Sequence, residues 1–387
     1  MVAMKRGEPT GEDQLPPAPD PLRRAPGEAP ERGRGATFNP QNRYRREGRE
    51  AYDDGWPDTS ADSDADDEPA PIKTTVTIQP ARTIIAHNAS PDIPFTQSIN
   101  PYQGCEHGCI YCYARPTHAY HDLSPGLDFE TKLFAKPNAP TLLRAELAKR
   151  GYRCDPIALG TNTDPYQPIE REWKITRGIL EVLAEHEHPF TIVTKSALVE
   201  RDLDLIAPMA AKNMARVYVS ITTLDKELAR SLEPRAATPL RRLQAVKALT
   251  EAGVPVGVLA APVIPQLNDR DLEAILEAAA AHGARHAGWI MLRLPLEVAP
   301  LFRDWLDAHY PLRAEHVMSV LRQLRGGRDY DARFGERMRG TGPFAELIET
   351  RFALACKRLG LNRDRAPLDA SRFRPPVATG PRQLDLL

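Results

Sequence analysis

The stretch "NPYQGCEHGCIYCYARPTH", residues 100–118, places three of the chain's five cysteines within eight positions. A closed structural zinc site takes four protein ligands, so three thiols packed this tightly predict a metal with one coordination position left open. Spaced by three residues and then by two, three thiolates can wrap a compact loop around one corner of a cubane and bind three irons of a 4Fe-4S cluster. A zinc ion completed by His107, His118 or His121 is the alternative, although zinc knuckles and ribbons favour paired C-x-x-C units that this loop lacks. The pairs His118/His121 and His186/His188 read as exposed loop or helix-end residues.

Composition limits what surrounds the cluster. A chain of 387 residues with 42% hydrophobic content can bury a sizeable core in one large domain or two ordinary ones. The longest apolar run, "VPVGVLAAPVIP" at 254–265, is too short and too rich in proline to span a bilayer, and the amino terminus shows no signal-peptide core. These features predict a cytoplasmic protein without membrane association. An odd number of cysteines in such a chain predicts metal or redox chemistry in place of a disulfide framework. The net charge of -1 is uneven: residues 313–387 carry 15 Lys and Arg against 9 Asp and Glu, a local excess of +6. Such an excess suits a polyanion such as nucleic acid, and equally a solvated helix surface.

Four segments follow from the pattern along the chain. Residues 1–87 are rich in proline, with 12 of the 37 prolines before residue 86 and eight acids between Asp53 and Glu68, and predict a disordered tail. Within it, "GRGATFNPQNRY" at 34–44 stands out as a short docking segment. Residues 88–296 alternate β-rich runs with amphipathic helical stretches, the pattern of repeated βα units on a parallel sheet. The strands are expected at 96–102, 156–162, 190–196, 215–222, 255–264 and 286–295, enough for an incomplete barrel of six βα units. Residues 297–362 are helical, with helices at 298–309, 313–325 and 343–359, and residues 363–387 form a second flexible tail. The fold class is therefore α/β, a partial (β/α)6 barrel with a helical carboxy-terminal extension. In such barrels the chemistry sits on loops at the carboxyl ends of the strands. There the sequence places "CEHGCIYC", "TNTDPYQP", Lys195 and "SITT".

The run Cys105-x-x-x-Cys109-x-Tyr111-Cys112 resembles the cysteine loop of radical S-adenosylmethionine enzymes, in which the methionyl amine and carboxylate of that cofactor chelate the open iron. Over residues 97–295 the chain resembles the spore photoproduct lyase branch, sharing Gly-Cys-x-x-x-Cys-x-Tyr-Cys-Tyr. The resemblance implies a 4Fe-4S cluster on Cys105, Cys109 and Cys112, with S-adenosylmethionine and an electron donor for the cluster. It implies Tyr111 near the adenine and Tyr113 in a radical relay. It also implies Thr163 and Asp164 at the cofactor's amino group, Lys195 at its carboxylate and Ser220 near the ribose. One position departs from the pattern: where those lyases have a hydrogen-donating cysteine, this chain has Thr161, whose O–H bond is too strong for that role. Of the other cysteines, Cys356 has the spacing of a buried helix residue, and Cys154 falls in a loop.

The last residues, Gln383, Leu384, Asp385, Leu386 and Leu387, look like the pentapeptide by which bacterial repair and replication proteins dock on the sliding clamp, with Leu387 where Phe is usual. A radical enzyme acting on nucleic acid, as in DNA repair, is the first expectation. The same chemistry on a small molecule or protein, and a non-catalytic metal-binding adaptor of the clamp, are the alternatives.

Overall fold

A computed structural model describes residues 31–45, 72–364 and 366–376. Ten strands are present among the described residues: β1 (Thr75–Ile78), β2 (Ala86–His87), β3 (Gln97–Ile99), β4 (Tyr102–Gln103), β5 (Lys132–Ala135), β6 (Ile157–Leu159), β7 (Phe190–Thr194), β8 (Ala215–Ser220), β9 (Val256–Val263) and β10 (His286–Met291). Seven of them form one sheet in the order β10-β9-β8-β7-β6-β3-β2. All pairs from β3 to β10 are parallel, and β2 adds an antiparallel edge. The six parallel strands are those expected from the sequence, in sequential order. Strands β2 and β10 lie at opposite ends of the order and do not pair, so the barrel is open.

Helices Ile175–Glu185, Leu203–Ala211, Pro239–Glu251 and Leu272–Ala281 connect the strands, and Val298–His309, Pro311–Gln323 and Pro343–Leu359 follow β10. The apolar faces read at helical spacing, among them Ile179, Leu180 and Leu183, or Leu243, Val246 and Leu249, pack on the sheet in one continuous core. A second cluster unites Cys109, Ile110 and Tyr111 with Leu301, Phe302, Trp305 and Leu306 of the carboxy-terminal helices, and with Ala36 and Phe38. The extension therefore packs directly behind the cysteine loop.

Three expectations need correction. The run 96–102 is not one strand: β3 stops at Ile99, before Asn100-Pro101, where proline lacks a ladder donor. Tyr102–Gln103 then leaves the sheet to pair with β5 in a small sheet ordered β1-β5-β4. Residues 31–45 and 72–87, assigned to a disordered tail from their proline and charge content, are structured: β1 pairs with β5, β2 with β3, and Arg34, Ala36, Phe38 and Asn42 are buried. The histidines read as exposed are mostly interior. His118 and His188 are fully buried, His118 beside Phe129 with Nε2 2.9 Å from the Lys132 carbonyl oxygen, and His188 with Nε2 2.8 Å from the Tyr152 hydroxyl.

Candidate functional site

The cysteine loop leaves β4 and turns back over the carboxyl ends of the strands. Cys105 and Cys109 are buried and Cys112 is partly so; all three thiols are free. The loop closes on itself through Gly108 N to Cys105 O and Cys112 N to Cys109 O, and is pinned to neighbours through Cys105 N to Phe129 O and Ile110 N to Leu232 O. Beneath it lies a buried ion pair. Arg115 donates to the Cys109 and Gly108 carbonyls at 3.0 and 3.3 Å and to the Glu130 carboxylate, and Glu130 also accepts from Gly35 N and Ala36 N. The residues 34–44 singled out in the sequence thus run across the back of the loop. Gly35 is so close that a Cβ there would lie 1.7 Å from the Gly108 oxygen.

The other expected residues gather around this loop. Asn100, just past β3, accepts from Asn162 N at 2.9 Å and so shapes the loop after β6. The Thr163 hydroxyl donates to Tyr102 O at 3.2 Å. Asp164 accepts from Tyr166 N, Thr194 Oγ1 and Lys195 N at 2.7–2.9 Å, and His107 Nδ1 stands 3.4 Å from it. Burial alone would raise its pKa; the adjoining His107 and the two β7-end donors outweigh that and hold the carboxyl at about 2. Its charge therefore ties the cysteine loop to β7.

Lys195 Nζ lies 5.7 Å from the centre of the Tyr111 ring. Burial disfavours its ammonium, yet the Cys109 thiol and Glu233 raise its pKa above the ordinary value. Burial pushes the Cys109 thiol up to about 12, with Lys195 acting in the opposite sense. The Lys195 cation is thus a counter-charge for a thiolate at Cys109. Ser220 is buried with its hydroxyl donating to Ala261 O at 3.3 Å. Tyr113 is 45% exposed, donates its hydroxyl to the Thr161 carbonyl and carries the Arg293 guanidinium 4.4 Å from its ring centre.

Sequence reading missed a buried network below Tyr111. The Tyr111 hydroxyl donates to Glu233, which also accepts from Thr222 at 2.6 Å and from Arg242, while Arg242 donates to Ser220 O at 2.9 Å. Burial works against the Glu233 carboxylate, but the Arg242 and Lys195 cations outweigh it and hold its pKa at about 2. Glu233 lies just past a short helix with no motif around it, so no sequence signal marked it or Arg242.

The donor set suits a cubane better than a zinc ion. His118 is turned toward Lys132 O, the His121 ring lies against Phe134 at 4.4 Å, and His107 faces Asp164, so none of the three completes a tetrahedral site with the cysteines. Among the described residues no group of His, Cys, Asp or Glu converges on a single metal-ion position. A cubane spreads its thiolates over three irons and needs no such point. The other two cysteines lie apart: Cys154 precedes β6 at its amino end, and Cys356 is buried in the helix Pro343–Leu359. Residues 383–387 lie outside the described residues.

Comparison with known proteins agrees with this geometry. Residues 99–279 match the family model of the radical SAM superfamily, whose members use a 4Fe-4S cluster and S-adenosylmethionine. The matched segment runs from the end of β3 into the helix Leu272–Ala281 and contains all three loop cysteines. An uncharacterised Mycobacterium tuberculosis protein is 41% identical over 221 residues, 57% of this chain and 65% of its own length. An uncharacterised Methanocaldococcus jannaschii protein is 31% identical over 171 residues, 44% of this chain and 61% of its own. The chain thus spans about 65% of the length of its mycobacterial relatives. Among solved structures, spore photoproduct lyase complexed with dinucleoside spore photoproduct superposes with a TM-score of 0.53 at 16% identity, covering 74% of this chain and 80% of that one. No described helix is long and apolar enough to cross a membrane.

Proposed function

We propose, from the match of residues 99–279 to the radical SAM family model, that the protein is a cytoplasmic radical S-adenosylmethionine enzyme acting on nucleic acid in DNA maintenance. The observation that carries the enzyme reading is the meeting of three loop thiols with Tyr111, Asp164 and Lys195 at the carboxyl ends of an open parallel barrel. When bound, the reduced cluster and S-adenosylmethionine would supply radical chemistry that abstracts a hydrogen atom from the substrate. The chain's own residues position and shield it. Cys105, Cys109 and Cys112 would hold the cluster, with Lys195 supplying positive charge beside Cys109. Tyr111, fixed by Glu233, would meet the adenine, and Thr163, Asp164 and Ser220 would hold the rest of the cofactor.

The substrate side differs from that of the lyases. Thr161 replaces the hydrogen-donating cysteine, and neither Cys154 nor Cys356 lies near it, so photoproduct repair does not carry over. Tyr113 is the oxidisable group in contact with Thr161 and takes the relay role. Nucleic acid as substrate is supported by the basic carboxy-terminal region and by the dinucleoside ligand of the similarly folded lyase. Docking of Gln383–Leu387 on the sliding clamp would bring the enzyme to DNA. Removing those five residues should abolish clamp association, and unchanged affinity would refute the docking.

The test of the enzyme reading is electron paramagnetic resonance of the anaerobically reconstituted, dithionite-reduced protein, with and without S-adenosylmethionine. A 4Fe-4S signal that changes on adding the cofactor is expected, together with loss of 5′-deoxyadenosine formation in Cys105→Ala, Cys109→Ala and Cys112→Ala. Product formation retained in all three variants would sink it.

A further inference from the structure

Around the mouth of the barrel the exposed aromatic rings are not scattered. Tyr113 follows the last cysteine and is roofed by Arg293, which follows β10, so the pair joins the cysteine loop to the β10 end of the open sheet. The Arg293 guanidinium makes no hydrogen bond or salt bridge among the described residues; it lies on the Tyr113 ring, with the Asp92 carboxylate near enough to interact with its charge. Its five N–H donors are left for an anion at the mouth.

Outward from there the same chemistry repeats. Glu297, four residues beyond Arg293, accepts from Arg43 at 2.7 and 3.0 Å. Arg43 donates to Pro116 O at 3.2 Å and lies 4.6 Å from the Tyr44 ring centre and 5.6 Å from that of Tyr120. The Tyr44 and Tyr120 rings stack with centres 5.7 Å apart and planes 28° apart, although both are largely exposed, at 57% and 71%. Tyr120 stands near the end of the 3-10 helix Arg115–His121 that begins two residues after Tyr113. At about 2.0 Å of rise per residue, that helix carries the chain roughly 10 Å from Arg115 to Tyr120. Four stacked nucleotides, with three steps of roughly 3.4 Å between them, cover about that distance.

We propose that these residues form one track for single-stranded nucleic acid: Arg293 grips a phosphate above Tyr113 at the mouth, and Tyr44 and Tyr120, braced by Arg43, stack the flanking bases. Exposed aromatic faces interleaved with guanidinium groups match a ligand that is at once flat-faced and regularly anionic. A duplex hides its base faces and would leave the tyrosine pair without a partner. The track specifies the substrate of the site proposed above and rests on that reading.

The experiment is fluorescence anisotropy of the full-length reconstituted protein with a labelled thymidine homopolymer, an abasic oligomer of the same length and a blunt duplex, over a range of salt. The homopolymer should bind tighter than either control. The double variant Tyr44→Ser/Tyr120→Ser should weaken it about tenfold or more with the salt slope unchanged. Arg293→Gln should instead lower the slope of log K against log salt by about 0.7, the loss of one phosphate contact on a single strand. A wild-type protein that binds while every variant matches it would refute the track and leave the nucleic-acid reading standing. No binding of any probe by the wild type would overturn both, and equal binding of the abasic oligomer would overturn the stacking. Loss of the cofactor-dependent resonance change in Arg293→Gln would assign that residue to the cofactor and remove the track's inner anchor.

Discussion

Gly35 and Glu233 show how single residues outside the cysteine motif govern it. With Gly35 against the Gly108 carbonyl, one added methyl must displace either the amino-terminal segment or the cluster loop. Gly35→Ala should cost about 1–3 kcal/mol, in the range of other overpacking substitutions, and should lower iron retained per chain after anaerobic reconstitution. Unchanged iron content would show that the loop holds its shape without the segment behind it. Glu233 is the shared partner of Tyr111, Thr222 and Arg242 in a site closed to water. Glu233→Ala would bury the Arg242 charge without its carboxylate and should destabilise the fold by roughly 3–5 kcal/mol, read by urea unfolding. A loss below 1 kcal/mol would mean that Arg242 finds other acceptors.

At the scale of elements, the open seam of the barrel is covered by the chain between the helices Pro311–Gln323 and Pro343–Leu359. Met291 N at the end of β10 donates to Met338 O at 2.9 Å, and Arg325 donates to Leu292 O and Glu336 O. Gly335 N and Arg337 both donate to Asp92, in the loop between β2 and β3. The segment therefore reaches from one end of the sheet to the other and directs access toward the mouth. Asp92→Asn removes the charge that anchors Arg337. Trypsin should then cut within 328–339, where four arginines lie, several-fold faster than in the wild type, with the cluster signal retained. An unchanged cleavage rate would show that the covering is held by Arg325 and Met291 alone.

Across the whole molecule, the interior histidines set a pH limit on stability. Burial lowers the pKa values of His118 and His188 to about 4, from an ordinary 6.5. The unfolded chain takes up these protons near pH 6.5, and the folded chain only near pH 4, so in that window the unfolded state binds more protons. Stability is therefore full above pH 6.5 and falls as the pH drops toward 4. At about 1.4 kcal/mol per pKa unit, the loss should reach a few kcal/mol for each histidine. Urea unfolding between pH 7 and 4.5 should show the midpoint falling, and a flat midpoint would place these rings in contact with water.

The sequence by itself determined the cysteine loop, the six parallel strands and their order, because thiol spacing and hydrophobic periodicity are local signals that survive without a fold around them. It also marked residues 34–44 as separate from their surroundings, although composition averaged over 1–87 concealed β1 and β2. Only the tertiary structure decided what stands behind the loop: Arg115 with Glu130, Arg242 with Glu233, and Gly35 on Gly108. Each of these joins residues from different elements, and a buried ion pair or close backbone approach leaves no periodicity in either partner. The same holds for His118 and His188, whose polar side chains read as surface until Phe129 and Tyr152 are seen to enclose them. Burial is a property of what packs against a residue, and packing across distant elements is what one-dimensional patterns do not carry.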